Sequence, residues 1–287
     1  MATTVPEIRA RKGSGRPIVM VTAYDAPGAQ IASDAGVDMI LVGDSVANVV
    51  LGYEDTLRVS VEQMAHHVGA VARAQPSPLV VADMPWLSYH TGARDAIANA
   101  GRLIVAGAQA VKLEGGSKRR EVVEAISAAE IPVMGHLGLT PQSLNDLGGY
   151  KVQGRELVEA LGLLEDARVL CEAGCFAIVL EAVPGEVAAA VTEEVDVPTI
   201  GIGAGAGCDG QVLVMHDVLG LQDRIAPRFV RRYAALKAEA TDALGSWAQD
   251  VRSGRFPQDS ETYELAPEVA RRFRAARSSR DGHAAGT

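Results

Sequence analysis

Four acidic residues each follow an apolar, strand-like run in the first two-thirds of the chain: Asp44, Asp83, Glu114 and Glu181. A carboxylate at the end of a buried strand has no packing role and is costly to desolvate without a partner. Four of them predict one acidic pocket at one end of a parallel sheet. A hard divalent cation, and a substrate that needs an acid or a base, are the natural occupants of such a pocket.

The two aspartates occupy equivalent positions on neighbouring strands. Asp44 follows residues 39–43 (MILVG), and Asp83 ends residues 78–83 (PLVVAD). Magnesium is usually bound by one or two carboxylates together with water and substrate oxygens, so both aspartates are predicted to bind Mg2+. Ser45, in Gly-Asp-Ser, fits either a substrate contact or only a turn and helix cap.

Lys112 and Glu114 are two positions apart in residues 110–116 (AVKLEGG), so both side chains point to the same side of the strand. A lysine facing the interior of a barrel needs anionic neighbours. In the functional interpretation, Lys112 holds a substrate carboxylate or oxyanion and Glu114 lies near the metal. The plainer interpretation is a structural ion pair.

Two further strands end in a residue that could act on a substrate. His136 precedes a Gly-containing turn (VMGHLGLTPQS), which favours a substrate contact in the pocket over a satisfied core histidine. Glu181 ends the apolar run FAIVLE. A carboxylate in such apolar surroundings suits a general base.

Apolar runs recur along the chain as candidate strands, separated by segments of helical periodicity. Seven of them cover residues 18–23, 38–43, 78–83, 110–115, 131–136, 176–181 and 197–203. An eighth strand lies either in residues 211–217 or near residues 224–227. Seven or eight alternating units in about 200 residues favour a (β/α)8 barrel over an open sheet, and barrel active sites lie at the C-terminal strand ends.

Composition narrows the class of protein. The chain has 287 residues, of which 48% are hydrophobic and 4% aromatic, as expected for buried parallel strands of branched aliphatic residues. The net charge of −9 argues against nucleic acid or an acidic membrane as the main partner. No apolar run approaches the roughly 18–20 residues that span a bilayer, and residues 1–17 lack a signal-peptide core. We therefore expect a cytosolic protein with small-molecule partners.

Two motifs are interpreted as structural. Cys171 and Cys175 lack further thiolates at zinc-site spacing, so we place them at a helix end and the start of the next strand. The glycine-rich residues 201–210 lack Gly-Lys-Ser/Thr and predict a loop at the barrel mouth rather than a nucleotide site.

Residues 1–256 are predicted to form one barrel domain with C-terminal helices, and residues 257–287 a polar, Arg-rich and partly disordered tail.

Longer segments resemble the ketopantoate hydroxymethyltransferase family, most specifically GHLGLTPQS (135–143) and GGYKVQGR (148–155). The resemblance runs from about residue 5 to about residue 256. It implies a (β/α)8 barrel of the phosphoenolpyruvate/pyruvate superfamily type. Such an enzyme transfers a one-carbon unit from 5,10-methylenetetrahydrofolate to α-ketoisovalerate (3-methyl-2-oxobutanoate), giving ketopantoate for pantothenate and coenzyme A synthesis.

The resemblance also implies roles for individual residues. Asp44 and Asp83 would ligate Mg2+, Glu114 would complete the metal surroundings through water, and Glu181 would be the base. The keto acid would be contacted by Asp44, Ser45, Asp83 and Lys112. The family forms large homo-oligomers, commonly decamers. Related barrels that act as Mg2+-dependent α-keto acid lyases or mutases, or a barrel retained as a non-catalytic subunit, are the alternatives.

Overall fold

The computed structural model describes residues 2–223 and 227–284. Eight parallel strands form a closed barrel in sequence order, in which β1 pairs with both β2 and β8. The strands are β1 (Ile18–Thr22), β2 (Met39–Val42), β3 (Leu79–Asp83), β4 (Ala110–Glu114), β5 (Val133–Gly138), β6 (Ala177–Glu181), β7 (Thr199–Ile202) and β8 (Gly210–Leu213). The predicted (β/α)8 barrel is confirmed. Its eighth strand overlaps the candidate at 211–217, whereas residues 224–226 lie outside the described residues.

Helices precede β1 and connect or follow most of the strands, and two more lie in the C-terminal part of the chain. They are α1 (Val5–Arg9), α2 (Ala26–Asp34), α3 (Val46–Val49), α4 (Val61–Arg73), α5 (Ala93–Ala106), α6 (Arg120–Ala128), α7 (Leu144–Leu147), α8 (Leu157–Glu172), α9 (Gly185–Glu194), α10 (Met215–Val218), α11 (Leu236–Arg252) and α12 (Pro267–Ala284). Gly107 ends α5 at φ 119°, a backbone conformation that glycine adopts without strain. Within the described part of the chain, no helix has the length and apolar character needed to cross a membrane.

Alternate side chains of the strands form two apolar cores. The inner core fills the barrel and includes Met20, Met39, Val81, Met134, Val179 and Ile200. The outer core joins the strands to the helices and includes Val42, Val80, Leu113, Ile178 and Val191. Because both faces of β2 and β3 are buried, these strands are continuous apolar runs in the sequence. The polar side chains Asp83, Lys112 and His136 lie toward the C-terminal ends of their strands.

Residues from Leu236 onward form a second compact unit. It contains α11, a short 3-10 turn (Asp259–Glu261) and α12. Within it, the rings of Trp247 and Phe256 meet edge to face at 6.3 Å, and no side chain of α11 is buried. The domain boundary that we placed at residue 256 stays a prediction.

Gly138 shows how the barrel sets the position of one predicted site residue. It ends β5 at φ 87°, and a Cβ atom there would lie 2.3 Å from the carbonyl oxygen of Glu181. The next residue, Leu139, donates its N–H to the same carbonyl oxygen at 2.8 Å. Only glycine therefore allows the chain to pass so close to the end of β6.

We expect Gly138→Ala to lower the free energy of unfolding by about 2–4 kcal/mol, because the methyl group clashes with backbone and the positive φ is strained. The matched control is Gly101→Ala in α5, where no heavy atom lies within 4 Å of the added Cβ. It should be neutral or stabilise the helix by about 0.5–1 kcal/mol. Urea unfolding followed by circular dichroism measures both. Equal stability of the two variants would contradict the close approach at residue 138.

Candidate active site

A cavity of about 1170 Å³ opens at the C-terminal ends of the strands. Its lining includes every site residue predicted from the sequence, namely Asp44, Ser45, Asp83, Lys112, Glu114, His136 and Glu181. Strand pairing brings them together, since Asp83 lies beside Lys112 across β3 and β4, and Glu114 beside His136 across β4 and β5.

A buried ion pair occupies the floor of the cavity. Lys112 Nζ lies 2.8 Å from Asp83 Oδ1, and both side chains are 3% exposed. Burial disfavours the charged amine, but the carboxylates of Asp83, Glu114 and Asp44 outweigh it and raise the pKa of Lys112. Asp83 Oδ2 also accepts the backbone N–H of Asp44 at 2.9 Å. Lys112 is therefore a fixed positive charge between neighbouring strand ends.

His136 lies between two carboxylates. Its Nδ1 is 3.5 Å from Glu114 Oε1, and its Nε2 is 3.2 Å from Glu181 Oε2. Burial and the charge of Lys112 favour the neutral ring, but Glu114 and Glu181 outweigh them and raise the pKa of His136 to about 9. The Lys112 ammonium also lies 3.2 Å from His136 Nδ1, so the imidazole belongs to the same charged network and joins β4 to β6.

Asp44 is held differently. It follows β2, and its Oδ2 accepts a hydrogen bond from the side-chain amide of Gln142 at 2.9 Å. Burial, and then repulsion by Asp83 and Glu114, raise the pKa of Asp44 well above its usual value. The adjacent Ser45 hydroxyl is 2.9 Å from the hydroxyl of Tyr24, which fixes its position in the cavity wall.

Glu181 is positioned by the backbone around it. Ala182 adopts φ 47°, an uncommon value for a residue with a side chain, so the chain turns sharply after β6. The N–H of Ala182 donates to Ile202 at 2.9 Å, and its carbonyl accepts the N–H of Gln153 at 3.0 Å. The GGYKVQGR segment, which contains Gln153, is thereby attached to the strand end that carries Glu181.

Sequence reasoning missed Gln142 and Tyr89, which are both buried at the site. Gln142 contacts Asp44 and Glu114, and the Tyr89 hydroxyl donates to Gln142 Oε1 at 2.6 Å. Both residues are uncharged, so a search for strand-end carboxylates could not find them. The sequence signal for Gln142 is its position in GHLGLTPQS, immediately after Pro141 and a few residues after the end of β5.

The charges at the site fit a divalent cation. At the strand ends, four carboxylates (Asp44, Asp83, Glu114 and Glu181) are accompanied by one lysine, Lys112, and one histidine, His136. No three His, Cys, Asp or Glu side chains in residues 2–223 and 227–284 are arranged to surround a metal. Magnesium needs only one or two carboxylates, and each carboxylate has about four acceptor positions. Asp44 and Asp83 therefore fit Mg2+.

The outer part of the cavity is apolar and wide. Tyr53, Tyr150, Val152 and Phe229 line it, and a Cβ atom at Gly203 would lie 2.5 Å from the Phe229 ring. The glycine-rich segment thus lines the barrel mouth, as predicted. Pockets for drug-sized ligands measure about 300–1,000 Å³, so this cavity has room for a second, larger molecule beside a small acid.

Solved structures share this fold at low sequence identity. Phosphonopyruvate hydrolase in complex with oxalate and Mg2+ has a TM-score of 0.60 and 16% identity, covering 96% of this chain and 98% of that chain. 2,3-Dimethylmalate lyase, a member of the PEP mutase/isocitrate lyase superfamily, has a TM-score of 0.57 and 17% identity, covering 100% of both chains. Such identity shows the fold alone.

Sequence similarity is much higher to a different class of enzyme. The chain is 57% identical over 266 residues to 3-methyl-2-oxobutanoate hydroxymethyltransferase 2 of Bradyrhizobium diazoefficiens, which covers 93% of this chain and 91% of that protein. The sequence model of ketopantoate hydroxymethyltransferase matches residues 2–259. These matches favour a transferase over the lyase, mutase and non-catalytic alternatives. The chain belongs to the ketopantoate hydroxymethyltransferase family and is an enzyme of the transferase class.

Proposed function

We propose that the enzyme transfers a hydroxymethyl group from 5,10-methylenetetrahydrofolate to 3-methyl-2-oxobutanoate, giving ketopantoate for pantothenate and coenzyme A synthesis. The observation that carries the proposal is the convergence of seven strand-end residues, predicted from the sequence, on one cavity in a chain of this family.

Asp44 and Asp83 would hold Mg2+ directly, and Glu114 through water. When bound, the ion polarises the ketone of the substrate and stabilises negative charge on its oxygen. The excess of carboxylates over cations in the cavity supports this assignment. The structure of phosphonopyruvate hydrolase with oxalate and Mg2+ offers an analogy, because oxalate and a 2-oxo acid both carry oxygens on adjacent carbons.

Glu181 is the base that removes the proton from C3 of the keto acid. Its side chain is 16% exposed, against 2% for Glu114 and 3% for Asp83, so it is more accessible to substrate than either. His136 occupies one carboxylate oxygen, and we assign the other to the substrate proton. C3 then attacks the one-carbon unit of the folate, which gives the new C–C bond. Overall, both C–N bonds of the methylene carbon break, a water molecule supplies the hydroxyl oxygen, and tetrahydrofolate leaves.

The remaining polar residues bind the keto acid. Lys112 offsets the charge of its carboxylate and of the oxygen that becomes negative when C3 is deprotonated. Ser45 donates a hydrogen bond to the keto acid, and His136 contacts the keto acid from β5. The folate occupies the remainder of the cavity, whose lining is largely apolar, and its rings limit the access of bulk solvent to the reacting carbon atoms.

We also propose a cytoplasmic location and a large homo-oligomer, a decamer by family resemblance. The three cysteines (Cys171, Cys175 and Cys208) are free thiols, as is usual in a reducing compartment.

The proposed oligomer is supported by exposed apolar residues on α8. Three of them, Leu157, Val158 and Leu161, are 74%, 82% and 54% exposed, which is unusual for a surface that faces only water. Light scattering on the purified chain should give a mass many times that of one chain, and a monomeric mass would contradict the proposal.

We expect Glu181→Gln to abolish exchange of the C3 proton while the keto acid and Mg2+ still bind, because the amide cannot accept the proton. Proton NMR of 3-methyl-2-oxobutanoate in D2O with Mg2+ measures the exchange, and calorimetry measures binding. Glu186→Gln, an exposed residue in α9, is the matched control and should exchange normally. Exchange by Glu181→Gln at the wild-type rate would remove Glu181 from the role of base.

We expect Asp83→Asn to raise the Mg2+ concentration for half-maximal activity at least about tenfold, since even outer-shell partners contribute 10–100-fold to metal affinity. Titration of initial rates with Mg2+ at saturating keto acid is the measurement. Asp34→Asn, an exposed residue at the end of α2, should leave the titration unchanged. The same Mg2+ dependence in Asp83→Asn and wild type would exclude Asp83 from the metal site.

A further inference from the structure

The segment GHLGLTPQS contains a buried residue to which the proposed reaction gives no role. Gln142 lies in the 3-10 turn Pro141–Ser143, directly after β5, and is 5% exposed. The turn places it beside the ends of β2, β3 and β4: its side chain contacts the residues that follow β2 and β3, and its backbone N–H contacts Glu114 at the end of β4.

Every hydrogen-bonding group of Gln142 that faces the site is used. Its Nε2 donates to Asp44 Oδ2 at 2.9 Å and to the carbonyl of Met84 at 3.0 Å. Its Oε1 accepts the hydroxyl of Tyr89 at 2.6 Å, and its backbone N–H donates to Glu114 Oε2 at 2.9 Å. One residue therefore holds carboxylates that belong to two different strands.

Tyr89 determines which way the amide faces. Its hydroxyl accepts the backbone N–H of Glu114 at 3.2 Å and has one proton, which it donates to Gln142 Oε1. Rotation of the amide by 180° would bring Oε1 against two acceptors, Asp44 Oδ2 and the Met84 carbonyl. The network thus favours one orientation, in which the NH2 group faces Asp44.

We propose that Gln142 is a positioning residue that holds the Asp44 and Glu114 carboxylates in the arrangement that accepts the divalent cation, with Tyr89 fixing its amide. This inference rests on the cation site proposed above. A neutral donor suits the task, because it binds one lone pair of each carboxylate and leaves the negative charge for the metal. A lysine or arginine at residue 142 would instead supply a competing positive charge.

The test is Mn2+ binding to the full chain without substrate, measured by electron paramagnetic resonance of free Mn2+, with Mg2+ as competitor. Gln142→Met keeps the length and burial of the side chain but removes its donors. We expect it to weaken Mn2+ binding by about 10–100-fold, as for other outer-shell partners of a metal. Tyr89→Phe should weaken binding in the same direction but less, because the amide of Gln142 remains.

The matched control is Thr199→Val, at the N-terminal end of the barrel. Thr199 is fully buried, and its hydroxyl lies 2.6 Å from that of Thr192. Its loss should lower the melting temperature while Mn2+ affinity stays at the wild-type value. Thermal unfolding of each variant separates stability from metal affinity.

Wild-type Mn2+ affinity in Gln142→Met would overturn the inference while leaving the cation site in place. So would equal weakening by Thr199→Val, since the effect would then follow stability rather than position. If Gln142→Met does not fold, Tyr89→Phe decides, and unchanged Mn2+ affinity in that variant overturns the inference. Failure of the wild-type protein to bind Mn2+ or Mg2+ would overturn the proposed cation site and the inference together.

Discussion

Four carboxylates confined at one end of a closed barrel impose the constraint on which this site depends. The strand register fixes their neighbours, so Asp83 cannot move away from β4 nor Glu114 from β5 without breaking the sheet. Like charges at such distances in a buried pocket repel strongly, because little water screens them. The surrounding residues therefore hold these carboxylates close together against their mutual repulsion.

The protein offsets the repulsion either with an ionisable basic side chain or with a neutral hydrogen-bond donor, and a cation would fit best beside the carboxylate whose partner is neutral. Lys112 pairs with Asp83, and His136 lies between Glu114 and Glu181. For Glu114, burial is outweighed by His136, Lys112 and the backbone of Gln142, and its pKa falls below the usual value. Asp44 receives only the neutral amide of Gln142, while burial and repulsion by Asp83 and Glu114 raise its pKa. The negative form of Asp44 is therefore the one that the protein compensates least, and a metal ion there would compensate it most directly.

The strand-end residues could be predicted from the sequence because their signal is local. A charged residue that ends an apolar run conflicts with burial, and the period of two places Lys112 and Glu114 on one side of a strand. The eighth strand was ambiguous because β8 has only four residues, one of them exposed. Gln142 and Tyr89 could not be identified, because a neutral side chain conflicts with nothing locally. Their contacts with the carboxylates form only when the segments that follow different strands come together in the folded protein.

The contrast between strand-end residues and residues in the segments after the strands explains why the fold alone does not identify the reaction. A hydrolase and a lyase that are 16–17% identical to this chain share its fold, and one fold hosts many unrelated activities. The contacts that distinguish this site come from the segments after the strands. The turn after β5 supplies Gln142, and GGYKVQGR holds the turn at Ala182 that follows Glu181. These are the two segments that carry the most specific family resemblance. Residues 141–143 and 148–155 lie outside the two apolar cores, so their contacts with the strand ends bear on the geometry of the site rather than on the packing of the barrel.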